Sequence, residues 1–457
     1  MRFLIALFVA GCLLAKPTEA AEPPQPTMIR DAEIENTIRA YATPLFVAAG
    51  VAPDAVHVHI VVDKTLNAYV ADGLNLFLYT GLLTRTENAN QLIGVMAHEC
   101  GHIAGGHLVR RDTDVTAYEI GSMFASLLGA AAMVASRRGD VGSAVAMAGN
   151  EAAMKSFFSY TRGQEAAADT AGMKFLDATQ QSAKGLLDFF KIIGDQELLV
   201  TAQQDPYVRT HPLTQDRIEF VRHHVETSPY SNTPPRPEYA EMHRRLRAKL
   251  IAFLDPPVQT LARYKASDPS LEARYARSIA YYRHANLADA LPLIDGLIAE
   301  RPRDPYFYEL KGQMLFENGR GREALDAYRQ AVHLLPDSPL IRISLGQVLI
   351  EQEDPSLLTE AAENLRFATH SEPDNPFAWN QMSIAYGRSG NEGMAEYAMA
   401  EYAFLAGKPS EAVYHAGKAR TLLPRSSAAA LRAQDIRTEA EVQLRQKAGR
   451  LGKDRTD

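Results

Sequence analysis

The chain has little cysteine, no excess of positive charge and no long apolar run. Cys12 and Cys100 are its two cysteines in 457 residues, which excludes a disulfide framework. The formal net charge of -7 gives no electrostatic footprint for nucleic acid. The basic cluster Arg244 to Lys249 lies on a helical pattern with Leu246, Leu250 and Phe253 and reads as a solvated helix face. Ile120 to Ser136 is uncharged over 17 residues, the lower edge of what spans a bilayer. Its Gly, Ala and Ser content, and a second small apolar stretch from Val141 to Gly149, suit a hairpin over 120–149 that covers a cleft or touches a membrane peripherally.

What is present is globular. Hydrophobic residues make up 46% and charged residues 23%, and the length calls for more than one domain. Arg2, the uncharged run Phe3 to Ala15 and Thr18-Glu19-Ala20 have the form of a secretory signal peptide over 1–20. Val9-Ala10-Gly11-Cys12 resembles a lipoprotein box, but the apolar run continues past Cys12, so cleavage at Ala20 is the expectation. Cys100 then remains alone.

Ile34, Ile38, Tyr41, Leu45 and Val47 recur at helical spacing between Asp31 and Val51, with Pro44 as a possible kink. Val56 to Val62 and Leu74 to Tyr79 read as strands on either side of a turn near Asp72-Gly73, with His57 and His59 as surface residues. Leu74 to Tyr79 is the expected edge on which an extended substrate adds a strand.

The chemistry is concentrated at His98-Glu99-Cys100-Gly101-His102, behind the apolar run Leu92 to Ala97. On a helix, histidines four residues apart share a face and can hold one zinc ion, with Glu99 placed to act as general base. A third ligand is required. His107 stands one residue before the position that an extended metal motif would fill, which is Leu108, and is set aside. Glu165 and Asp169 stand at i, i+4 in Glu165-Ala166-Ala167-Ala168-Asp169. Acidic pairs at that spacing are common on surfaces, so spacing alone does not decide; the three alanines favour close packing and burial.

Beyond the four prolines between Ser228 and Pro237, and beyond Pro256-Pro257, the chain repeats. Pro302 and Pro336 are 34 residues apart and Pro336 and Pro373 are 37 apart; 34 is the tetratricopeptide period. Asp289-Ala290, Glu323-Ala324, Glu360-Ala361 and Glu411-Ala412 each begin 13 residues before a proline and mark the second helix of a pair. The predicted fold is mostly α (α+β): a helical zincin-like peptidase domain with a small β-sheet over 21–257, an α-solenoid of repeats over 262–435, and a charged tail over 436–457.

The His98-Glu99-x-x-His102 motif, Glu165-x-x-Ala168-Asp169, His211-Pro212 with Arg217, Asn67-Ala68 and Tyr79-Thr80-Gly81 together resemble the gluzincin-type zinc metallopeptidases of the CAAX prenyl protease and HtpX type. With a signal peptide and repeats, the whole resembles their BepA-like periplasmic subfamily. The resemblance implies one zinc ion on His98, His102 and Glu165, Glu99 as base, and Asp169 behind a ligand histidine. It places His211 and Arg217 facing the site from a loop, as oxyanion stabilisers or, for His211, as a resting fourth ligand. It implies an exported metalloendopeptidase acting on unfolded or misassembled envelope proteins in the periplasm, with a chaperone-like part in outer-membrane protein assembly. The competing readings are a tetratricopeptide adaptor with a structural or latent zinc site, and an integral membrane prenyl-protein protease, which the lack of several spans disfavours.

Overall fold

The computed structural model describes residues 27–71, 74–106, 162–194 and 205–453. The expected signal peptide, His107 and the apolar stretch 120–149 lie outside these residues. The catalytic half opens with β1 (Met28–Ile29) and α1 (Ala32–Ala48), whose first turn is capped by the Asp31 carboxylate accepting from the Ile34 N–H. α1 runs through Pro44 as one helix and buries Ile34, Ile38, Tyr41 and Leu45 of the predicted stripe, while Val47 is exposed.

Then come β2 (His57–Val61), β3 (Ala68–Ala71), β4 (Asn75–Tyr79), α2 (Thr80–Arg85) and α3 (Ala89–Gly105). The sheet order is β1-β2-β4-β3, with β2 parallel to β4 and β3 antiparallel to it. This corrects the expected edge: β4 is held on both sides, and the outer strand next to it is β3. Alternation puts Ile60, Ala68, Val70, Leu76 and Leu78 on the buried face. His59 and Tyr69 stack on the two sides of Phe77 on the other face, 4.7 and 4.9 Å from its ring.

α3 is the spine of this half. Asn88 caps it by accepting from the Gln91 N–H, and Gly106, at φ 62°, ends it in the left-handed region that glycine adopts without cost. Nearly all its residues are buried, the polar His98, Glu99 and His102 included. A second helix, α4 (162–178), crosses it at backbone contact: a Cβ on Gly101 would lie 2.4 Å from the Ala168 oxygen, and one on Gly172 would lie 3.0 Å from the Ala97 oxygen. Of the three alanines before Asp169 only Ala168 lies in that crossing; Ala166 and Ala167 are exposed, against the expectation that all three favour burial.

α5 (Lys184–Gly194), α6 (Pro206–Thr210), α7 (Gln215–Thr227) and α8 (Pro237–Leu254) complete the half. After α9 (Pro257–Arg263) the helices pair: α10 (Leu271–Arg283) with α11 (Leu287–Glu300), α12 (Pro305–Glu317) with α13 (Gly321–Leu334), and α14 (Pro339–Glu351) with α15 (Leu358–Ser371). The 51 residues from Pro373 to Pro424 hold three helices, α16 (Pro376–Arg388), α17 (Glu392–Leu405) and α18 (Pro409–Leu422), one more than a pair. α19 (Ala428–Lys453) crosses the expected boundary at 435 as one helix, with Ile436 and Ala440 buried.

A buried network of ion pairs joins the two halves, crossing between them at Arg245–Asp304 and Tyr275–Glu33. Arg245 of α8 binds Glu33 at 2.7 Å and Asp304 at the start of α12 at 2.5 Å, and Lys249 binds Asp31 at 2.7 Å. Tyr275 of α10 donates its hydroxyl to Glu33 at 2.7 Å.

Candidate metal centre

α3 supplies His98, Glu99 and His102; α4 supplies Glu165 and Asp169; the turn after α6 supplies His211. His98, His102, Glu165 and His211 are all buried, and each offers a donor atom within 4.8 Å of the others. The separations are regular. His98 Nε2 lies 3.1 Å from His102 Nε2, 3.3 Å from Glu165 Oε2 and 3.4 Å from His211 Nδ1. Glu165 Oε1 lies 3.3 Å from His102 Nε2 and 3.2 Å from His211 Nδ1. A tetrahedron with metal–ligand bonds of about 2.0–2.1 Å has edges of roughly 3.3 Å, so two or three imidazoles and a carboxylate at this spacing fit a zinc-type ion.

The surroundings agree. His98 Nδ1, on the far side of its ring, meets Asp169 Oδ1 at 2.8 Å, which fixes Nδ1 as the protonated nitrogen and turns the Nε2 lone pair inward. Asp169 is in turn gripped by Arg217, through Nε at 2.6 Å and Nη2 at 2.9 Å, and Arg217 also pairs with Glu165 at 3.0 Å and donates to the Pro212 carbonyl at 2.8 Å. The guanidinium is packed against the Phe190 ring. Arg217 thus sits in the first turn of α7, behind the carboxylates, and not on a loop facing the site as the resemblance implied.

Electrostatics without a metal show what the pocket lacks. Burial disfavours a charged His98, yet Asp169 and Glu165 outweigh burial and hold its pKa at about 9. Burial pushes His102 down to about 3, helped by the neighbouring His98 and His211 and opposed by Glu165. Burial raises the Asp169 and Glu165 carboxyls, but Arg217 and the histidines overcome it and keep both below their ordinary values. Two ionised carboxylates beside imidazoles that meet edge to face make a pocket that holds one positive charge in the place a cation would take.

Glu99 stands apart. Its carboxylate is shielded, neither oxygen has a hydrogen-bond partner, and burial pushes its pKa up. Oε1 is 3.6 Å from His211 Nε2, which is also unpartnered. These orphaned atoms mark room for a small polar guest.

One contributor has no signal in the motifs: Tyr207. Its ring covers that of His211 at 4.7 Å, and its N–H donates to the Leu66 carbonyl at 3.2 Å, tying the His211 turn to the approach of β3. Tyr207 is four residues before His211, one helical turn away, and that spacing in a five-residue helix was the available hint.

Both halves of the chain match known proteins. Residues 29–225 match Peptidase family M48, and residues 275–339 match a tetratricopeptide repeat family. The chain is 23% identical over 364 residues to the beta-barrel assembly-enhancing protease of Yersinia pestis, covering 78% of this chain and 73% of that protein. It is 23% identical over 369 residues to the protein of the same name from Escherichia coli strain K12, covering 78% and 72%. The chain carries a Peptidase family M48 domain followed by C-terminal tetratricopeptide repeats.

Proposed function

We propose that this chain is an exported zinc-dependent endopeptidase that hydrolyses unfolded or misassembled envelope polypeptides, and that its repeats dock those clients. The observation that supports it is the convergence of four donor atoms beside Glu99, a shielded carboxylate without a partner of its own. In this reading His98, His102 and Glu165 hold one zinc ion, and a catalytic part ending near 257 is followed by repeats from 262. When bound, such an ion supplies Lewis acidity toward the scissile carbonyl and acidifies water.

The chain's own residues do the rest. Glu99 takes the proton of the attacking water and delivers it to the leaving amine, and with no competing hydrogen bond its oxygens are available for both transfers. Asp169 fixes the His98 tautomer. Arg217, whose contacts are with Asp169, Glu165 and Pro212, acts as a positioning residue. An extended substrate adds alongside β3, whose outer edge lies one strand beyond β4.

His211 sets the resting state. Its Nδ1 lies within 3.4 Å of donor atoms of His98 and Glu165, so it completes the ligand set and keeps substrate out until it swings away. Export through residues 1–20 and a place in outer-membrane protein assembly belong to the same reading; support comes from the relatives' name, beta-barrel assembly-enhancing protease. Among the described residues no helix is long and apolar enough to cross a membrane.

The test is zinc content and casein or client hydrolysis, compared between the wild-type chain and Glu99→Gln. The expected result is equal zinc and hydrolysis only by wild type. Zinc retained without any wild-type hydrolysis would move the reading to a repeat adaptor with a structural site.

A further inference from the structure

A cavity of about 750 Å3 lies where the catalytic half meets the repeats. Arg30, Lys249 and Phe253 come from one half, and Gln313, Phe316 and Gln347 from the other. Gln313 and Gln347 are 34 residues apart, equivalent positions on α12 and α14, so amide groups recur along the wall at the repeat spacing. Between them Tyr328, Leu340 and Ile343 make the wall apolar, and Phe377, 46% exposed, stands at its rim. Apolar walls with spaced amides suit an extended polypeptide.

Charge says which one. Arg30 and Lys249 line the cavity, Arg245 shares Glu33 with Lys249, and each of the three is committed. Arg30 pairs with Glu35 at 2.8 Å and Glu372 at 2.6 Å; Arg245 pairs with Glu33 and Asp304; Lys249 pairs with Asp31 and, at 3.2 Å, with Glu33. Three positive charges therefore serve five carboxylates. Two more carboxylates line the wall. Glu317 accepts from Gln313 and Tyr282, whereas Glu309 Oε2 is shielded from solvent and has no hydrogen-bond partner. Burial raises its carboxyl to about 8, Asp31, Glu33 and Glu35 add to the rise, and only Lys249 opposes it. Of the carboxylates around the cavity, Glu309 is the one whose shielded oxygen no cation or donor meets.

We propose that this cavity is a second polypeptide-binding site, separate from the metal centre, for an extended client segment whose lysine or arginine, flanked by apolar side chains, pairs with Glu309. The proposal rests on the client-docking part of the proposed function and not on hydrolysis. A client held there occupies a wall shared by both halves, which raises its concentration near the catalytic domain.

The experiment measures binding by fluorescence anisotropy with the full-length chain carrying Glu99→Gln, so that no probe is cleaved. The probes are a dye-labelled Ser-Leu-Phe-Lys-Leu-Phe-Ser peptide and its counterparts with norleucine or glutamate at the central position. The lysine peptide binds about tenfold more tightly than the norleucine peptide, and the glutamate peptide binds most weakly. Glu309→Gln reduces the lysine advantage to about twofold or less. Gln347→Lys, which supplies a cation from the partly exposed wall, does the same while raising Tm, and this covers the case in which Glu309→Gln does not fold. Equal binding of all three peptides, or a lysine advantage that survives both variants, overturns the proposal and leaves client docking intact. Absence of binding by any peptide overturns the docking reading and the proposal with it.

Discussion

Asp169 carries more of the centre than its distance from the donor cluster suggests. It accepts from His98 on one side and holds Arg217 on the other, so a single carboxylate sets a ligand tautomer and anchors the turn that bears His211. Asp169→Asn keeps the shape but offers its amide where His98 Nδ1–H needs an acceptor. Zinc affinity, read by competition with a chromophoric chelator, falls about 10- to 100-fold, with Glu99→Gln as the control that leaves it unchanged. The sequence makes His98, Glu99 and His102 readable because all three lie within about one helical turn. It hides what Arg217 does: the same arginine can face a substrate or brace a carboxylate, and only the packing of α7 against Phe190 and α4 decides.

At the scale of elements, the close crossing of α3 and α4 is the construction that brings two distant motifs together. Gly101→Ala places a methyl carbon 2.4 Å from the Ala168 oxygen, and backbone cannot step aside as a side chain does. The expected result is a loss of about 1–3 kcal/mol in chemical denaturation together with weaker zinc retention, since Glu165 and Asp169 move with α4. A stability loss with zinc affinity intact would show that the crossing does not position the ligands. Helices were legible here because their apolar period is local, as the α1 stripe and the 34-residue step show. Strand order was not. Alternation marks Leu74 to Tyr79 as a strand without saying that β3 pairs beyond it, because pairing joins segments that no local period relates. The extra helix α17 escaped for a similar reason, its sequence lacking the proline marker on which the spacing was counted.

For the whole molecule, the junction between halves is a shared electrostatic structure and not a linker. Glu309 titrates there with a folded pKa of about 8 against an ordinary 4.5. The folded chain then keeps a proton that the unfolded chain releases, so stability falls as pH rises from about 5 to about 8, by an amount on the order of 3 kcal/mol. Glu309→Gln removes that proton from the balance. Tm scans across this range are expected to decline less for the variant than for wild type, and parallel curves would contradict the assignment.

The account's central claim is a competent peptidase centre that His211 holds closed at rest. It is tested most directly by hydrolysis of one unfolded client by His211→Ala, wild type and Glu99→Gln, each at equal bound zinc. The account predicts His211→Ala about tenfold or more above wild type, with Glu99→Gln inactive. His211→Ala as inactive as Glu99→Gln would contradict it and make His211 part of the catalytic apparatus.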